Sequence, residues 1–192
     1  RLEDNPYLDP DYADRLNQLP EARRRQLRDG DWRVYDGQFF SQWNQSVHTR
    51  DVGAIDPSIR RICGLDWGYN SPGCCLWIAC LPDGHFHVER EYKFNGGSRD
   101  KVTVKDVAAA MKRISQDMGL KRHPLVMADP DLKSSKGQIG ESIIETFRKW
   151  GIPMEPSNNA RNLGWQRCQE LLRTAPDGVP WLTVAPSCPY LI

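Results

Sequence analysis

The chain has 192 residues, 39% of them hydrophobic and 27% charged, with a formal net charge of +1. That length supports one sizeable core and an appendage, and no apolar run approaches bilayer-spanning length, so no membrane partner is expected. The balanced charge excludes a uniformly basic nucleic-acid binder, and any DNA surface must be local.

Residues 1–56 differ in character from the rest. Asp9-Pro10 reads as an N-cap with proline in the first turn, and Tyr12, Leu16 and Leu19 give a short amphipathic helix that Pro20 interrupts. A second helix is predicted from Glu21 to Arg28, its arginines (Arg23, Arg24, Arg25, Arg28) placed late to suit the macrodipole and Gly30 available as its cap. Those arginines read as a solvated face or as phosphate contacts. The aromatics Tyr35, Phe39, Phe40 and Trp43 follow without a period. We expect 1–56 to be a linker or the tail of a preceding domain, and 57–192 to form a domain of its own.

Arg60-Arg61-Ile62-Cys63-Gly64-Leu65-Asp66-Trp67-Gly68 reads as a buried strand followed by a sharp turn. Alternation sets Ile62, Gly64 and Asp66 on one side and Cys63, Leu65 and Trp67 on the other. We expect the Asp66 side to face inward. An aspartate there is costly unless turn amides satisfy it or it binds a cation. The run Cys74–Leu81, the turn Pro82-Asp83-Gly84 and the alternating His85–Phe94 complete a three-strand antiparallel meander. His85 and His87 read as exposed edge-strand histidines rather than metal ligands. The six cysteines (63, 74, 75, 80, 168, 188) include no CxxC pair and no zinc spacing, and buried reduced thiols in a cytosolic protein are expected.

Val104, Val107, Ala108, Met111, Ile114 and Met118 recur at helical spacing and predict a helix over 101–118 closed by Gly119. Pro124–Ala128 is a wholly apolar strand, buried on both faces, that ends in Asp129. Lys133, Ser134, Ser135, Lys136 and Gly137 form a loop. A helix from Ile139 to Trp150, a strand over Ile152–Glu155, a helix over 160–173 with Leu163, Cys168, Leu171 and Leu172 inward, and a strand over Trp181–Val184 follow. This order predicts an α/β mixed sheet, three antiparallel strands and then parallel ones, with helices on its faces. If the strand ending at Asp129 lies beside the one bearing Asp66, the strand spacing of about 4.8 Å brings the two carboxylates together. Like charges that close need a cation between them, and oxygen ligands suit Mg²⁺ or Mn²⁺.

These residues carry a resemblance. Gly64-Leu65-Asp66-Trp67-Gly68 with its hairpin, and Ala128-Asp129-Pro130, resemble the ribonuclease-H-like nuclease domain of tailed-bacteriophage terminase large subunits. Asn5-Pro6-Tyr7-Leu8, Leu19-Pro20-Glu21, Gly30-Asp31-Trp32 and Gly37-Gln38-Phe39-Phe40 resemble the segment joining that family's packaging ATPase to its nuclease, and Leu182-Thr183-Val184 through Cys188-Pro189 resembles the strand before its final helix. The resemblance implies an endonuclease that cuts concatemeric viral DNA in the host cytoplasm. It implies Asp66 and Asp129 as ligands of a two-ion Mg²⁺ or Mn²⁺ site, with double-stranded DNA, the ATPase domain, the small terminase subunit and the portal as partners. The family's third acidic ligand is expected beyond Ile192, both ends of this chain reading as cuts, with Asp131 or Glu91 as substitutes within it. Asp131 reads first as an Asx-turn residue and only then as a ligand. No GxxxxGK[ST] frame is present, so the ATPase motor is not expected in these residues.

The expected chemistry is in-line hydrolysis of phosphodiesters at two ions about 3.5–4 Å apart, Asp66 bridging them and Asp129 holding one. Lys133 and Lys136 are the first candidates for phosphate contact, with Arg60 and Arg61 behind them; such contacts position DNA without reading its sequence. Two other classes fit the DxG strand: a non-catalytic docking module of the packaging motor, and an actin-like or sugar-kinase phosphate-binding domain.

Overall fold

The computed structural model describes residues 14, 16, 17, 19, 24, 27, 28, 39–68, 71–95, 102–134 and 140–192. The chain divides into two compact units, Arg1–Trp43 and Asn44–Ile192. In the first, Asp14, Leu16 and Asn17, and again Arg24, Leu27 and Arg28, are helical. Most of the expected linker motifs lie outside the described residues. The division falls before residue 56 because 44–56 is tied to the second unit. Helix α1 (Gln45–His48) is capped by Asn44, whose side chain accepts from Ser46 N–H. His48 is buried with Nε2 2.9 Å from the Leu172 carbonyl, and Thr49 bridges to Val184.

The second unit is organised by a six-stranded sheet. Strands β1 (Arg61–Asp66), β2 (Pro72–Cys80) and β3 (Phe86–Asn95) form the expected antiparallel meander. Strands β4 (Leu125–Ala128) and β5 (Met154–Pro156) extend it in parallel beyond β1, and β6 (Leu182–Val184) pairs in parallel with β3. The order is β5-β4-β1-β2-β3-β6, so β1 is internal and β2 alone runs against its fellows. Helices α2 (Val104–Asp117), α3 (Ile143–Lys149) and α4 (Arg161–Leu171) make the later connections.

Local chemistry explains where these elements start and stop. Thr103 and Asp106 form a capping box for α2, and Gly119 closes it at φ +72°. Ser142 and Glu145 form another for α3, which therefore begins later than Ile139. Val107, Ala108 and Met111 of α2 and Ile144 and Phe147 of α3 bury against one face of the sheet, where Cys63, Leu65, Cys75, Trp77, Val126, Ala128 and Met154 meet them. Trp77, fully buried, donates its Nε1–H to Ser115 Oγ at 3.0 Å, so the largest core side chain leaves no polar atom unpaired. Helix α4 departs from expectation. It has no buried residue, Leu163 is 65% exposed, and of the expected inward set Leu172 alone, just past its end, is buried.

His85, just before β3, and His87 within it also differ from the reading of an exposed edge. Because β6 pairs alongside, β3 is internal, and both His85 and His87 are buried. His85 stacks on Trp181 with ring centroids 4.8 Å apart, and His87 Nδ1 lies 2.8 Å from Thr183 Oγ1. Burial pushes His87 below its usual value of 6.5, and does the same to the partly buried His123. The unfolded chain thus binds protons that the folded chain refuses, so stability falls as pH drops below about 6.5 toward the depressed folded values. Urea unfolding between pH 7 and 5 is expected to show this decline, and His87→Gln to flatten it.

Candidate metal centre

Asp66 is the last residue of β1 and Asp129 the first after β4. The parallel register pairs Gly64 with Met127 and Leu65 with Ala128, which brings the next residues, Asp66 and Asp129, side by side at the strand ends. Leu65 and Ala128 are both buried on the helix-covered face, so alternation turns the two aspartates onto the other face. That face is open. Both carboxylates are exposed, which corrects the expectation that Asp66 faces inward: its companions Ile62 and Gly64 are on its side as predicted, but the core lies under Cys63 and Leu65.

Glycines shape the approach. A side chain at Gly64 would meet nothing within 4 Å, so the open face beside Asp66 is clear. At Gly68 a Cβ would stand 2.1 Å from the Ser71 carbonyl oxygen, so the turn after Asp66 closes only on glycine. Asp129 caps a short 3₁₀ turn, Pro130–Lys133, and its Oδ1 accepts the Asp131 N–H at 2.8 Å. One oxygen of Asp129 is thereby fixed by the backbone. Asp131 supplies its amide to this turn, and its own exposed side chain makes no hydrogen bond there. Lys133 ends the same turn, exposed; Lys136 lies outside the described residues.

Across the antiparallel register Asp66 faces Cys74, and Cys74 faces Lys93. A cleft of about 250 Å³ on this face is lined by Asp66, Cys74, Leu76, Glu91, Lys93 and Tyr190. The Cys74 thiol is pushed above its usual range by partial burial first, and then by the negative charges of Asp66 and Glu91. The charged groups of this cleft are thus the carboxylates of Asp66 and Glu91 and the ammonium of Lys93. Two carboxylates with hard oxygen donors suit Mg²⁺ or Mn²⁺ with waters completing the shell. Among the described residues no group of three or more His, Cys, Asp or Glu side chains is gathered as a metal site. Glu91 is engaged otherwise, accepting the Tyr190 N–H at 2.7 Å.

Arg60 and Arg61 stand at the far end of β1, about 16 Å from Asp66 at strand rise. Arg61 is also buried. It binds Glu89 at 2.8 Å and 3.1 Å, and the carbonyls of Ile55, Asp56 and Ile59. Its guanidinium is thus spent inside the fold, which corrects its expected role as a phosphate contact. Sequence reasoning passed over Lys93, although the alternation of β3 already sets Glu91 and Lys93 on one face.

No family model matches the chain. Over 119 residues it is 29% identical to the large terminase subunit of Escherichia phage T5, a match covering 55% of this chain and 25% of that protein. It therefore spans about a quarter of the length of that relative. The nuclease domain of the P22 large terminase superposes with a TM-score of 0.61 at 17% identity, over 80% of this chain and 74% of that one. The large terminase nuclease of thermophilic phage G20c, with bound cobalt, gives 0.52 at 18% identity, over 78% and 73%. The chain is similar in sequence to a phage large terminase, and its mixed sheet has the ribonuclease-H-like fold of terminase nuclease domains.

Proposed function

We propose that this chain, similar in sequence to a phage large terminase and in fold to terminase nuclease domains, is the metal-dependent DNA endonuclease part of a viral packaging terminase. The observation that carries the reading is the pair of carboxylates, Asp66 and Asp129, set side by side on an open sheet face by the β1–β4 register. The cobalt bound by the G20c nuclease supports a divalent cation at these oxygens. When bound, two such ions would activate a water and stabilise the leaving 3′ oxygen in an in-line hydrolysis of the phosphodiester. The chain's own residues hold and orient. Among the described residues none hydrogen-bonds to the Asp66 carboxylate, and the Asp131 amide aims Asp129. Gly64 leaves the backbone low so that a bulky phosphodiester can approach. Lys133, which ends the turn that Asp129 caps, is read as a phosphate contact that positions DNA without reading its sequence. Concatemeric genome DNA as substrate, and the ATPase domain, small subunit and portal as partners, belong to this same reading. Supercoiled plasmid should be nicked and linearised in Mg²⁺ or Mn²⁺ and left intact in EDTA. Tight Mn²⁺ binding at these aspartates without any cleavage would instead support a docking module.

A further inference from the structure

The cleft on the open face has a second wall. Lys93 lies two strands from Asp66 on the same face, through the register Asp66–Cys74–Lys93. Its Nζ sits 4.3 Å over the Tyr190 ring. Among the described residues no carboxylate pairs with it. Glu91, two residues away on the same strand face, is occupied by the Tyr190 amide at 2.7 Å. A lysine at the mouth of an acidic cleft would ordinarily be drawn to the nearest carboxylate. Here the segment after β6 takes up that carboxylate and offers an aromatic face instead, which holds the ammonium by the ring quadrupole while leaving its outward donors free.

We infer that Lys93, held by Tyr190, is the cleft's DNA-backbone contact: it binds a non-scissile phosphate while the scissile one lies at Asp66 and Asp129. The inference rests on the nuclease reading and adds a direction to it, since the backbone of the cut strand would then run across the sheet from β4 and β1 toward β3. The sheet geometry supports this path. Two strand spacings, about 9.6 Å between Cα atoms, separate Asp66 from Lys93, the intervening Cys74 and Leu76 are uncharged, and the remaining carboxylate of the cleft, Glu91, is drawn to the Tyr190 amide. The cation makes the positioning role distinct from that of the aspartates, for it attracts phosphate in the absence of metal.

The test is anisotropy of a short labelled duplex, titrated with the whole chain in EDTA over a salt series, alongside plasmid cleavage in Mn²⁺. Removing one phosphate contact should make the log K against log salt slope shallower by about 0.9. Lys93→Ala is expected to show that change with several-fold weaker binding and slower cleavage, and an unaltered thermal midpoint because the side chain is exposed. Lys93→Arg should restore the slope and Lys93→Glu should weaken binding further. A wild-type slope in Lys93→Ala, with wild-type DNA binding and cleavage intact, overturns the inference alone. A wild-type chain that neither binds nor cuts DNA overturns the nuclease reading and the inference with it.

Discussion

Asp66→Asn is expected to reduce metal-dependent plasmid cleavage by roughly a thousandfold or more. Charge stabilisation by a bound cation is worth several kcal/mol, and each ~1.4 kcal/mol is a factor of ten in rate. The amide keeps the shape of the side chain but removes the anion that, on the proposed reading, would help hold the metal. Because Asp66 stands exposed at a strand end, its thermal stability should change by no more than about 0.5 kcal/mol. Asp129→Asn offers a companion measurement. An asparagine oxygen can still accept the Asp131 amide, so the turn persists and the lost charge is isolated from any change of shape. Cleavage by Asp66→Asn at the wild-type rate, with Mn²⁺ affinity unchanged in calorimetry, would remove Asp66 from the site.

The other large effect concerns stability. Arg61→Ala should cost about 3–5 kcal/mol, the range for breaking a buried pair by deleting one partner. It would strand the Glu89 carboxylate, whose side chain is 14% exposed, and leave the carbonyls of Ile55 and Ile59 without the Arg61 donor, while the Asp56 carbonyl keeps the Ile59 N–H. Removing both partners with Arg61→Ala and Glu89→Ala should recover part of the loss, since no unpaired charge then remains. Urea unfolding measures the stabilities, and DNA affinity per folded molecule should stay at the wild-type value. Weaker DNA binding at unchanged stability would return Arg61 to the role of a phosphate contact.

Much of the sheet was legible because each strand carries its own burial signature. The alternation in 61–66 and 86–95 corresponds to strands of the meander, and the apolar run 125–128 to a strand with neighbours on both edges but not buried on both faces as expected, since Leu125 is 41% exposed. The adjacency of Asp66 and Asp129 followed from a single added premise, that β1 and β4 are neighbours, and the register supplies it. What alternation cannot reveal is which face the helices cover. Both faces of β1 bear apolar residues, so Asp66 read as inward until α2 and α3 were seen on the Cys63–Leu65 side. Arg61 and the histidines were obscured for a related reason. Their burial is imposed by 55–59 and by β6, segments whose pairing is set by distant packing rather than by the residues beside them. In α4 the apolar spacing was genuine and its burial was not, which shows that a periodic stripe records what a helix can cover, not what covers it.

The parallel pairing of β1 with β4 also bears on the order in which the molecule assembles. The meander of β1, β2 and β3 joins neighbours in sequence through short turns and needs little loop closure, so it can condense early. Asp66 and Asp129 meet only after the chain has crossed through α2 and seated β4, a contact between residues remote in sequence. A nascent or partly folded chain therefore displays Asp66 without Asp129, and on the proposed reading the second carboxylate would arrive only as β4, the last neighbour of β1, docks. On the proposed nuclease reading, the seating of β4 would therefore also be the step that completes the carboxylate pair.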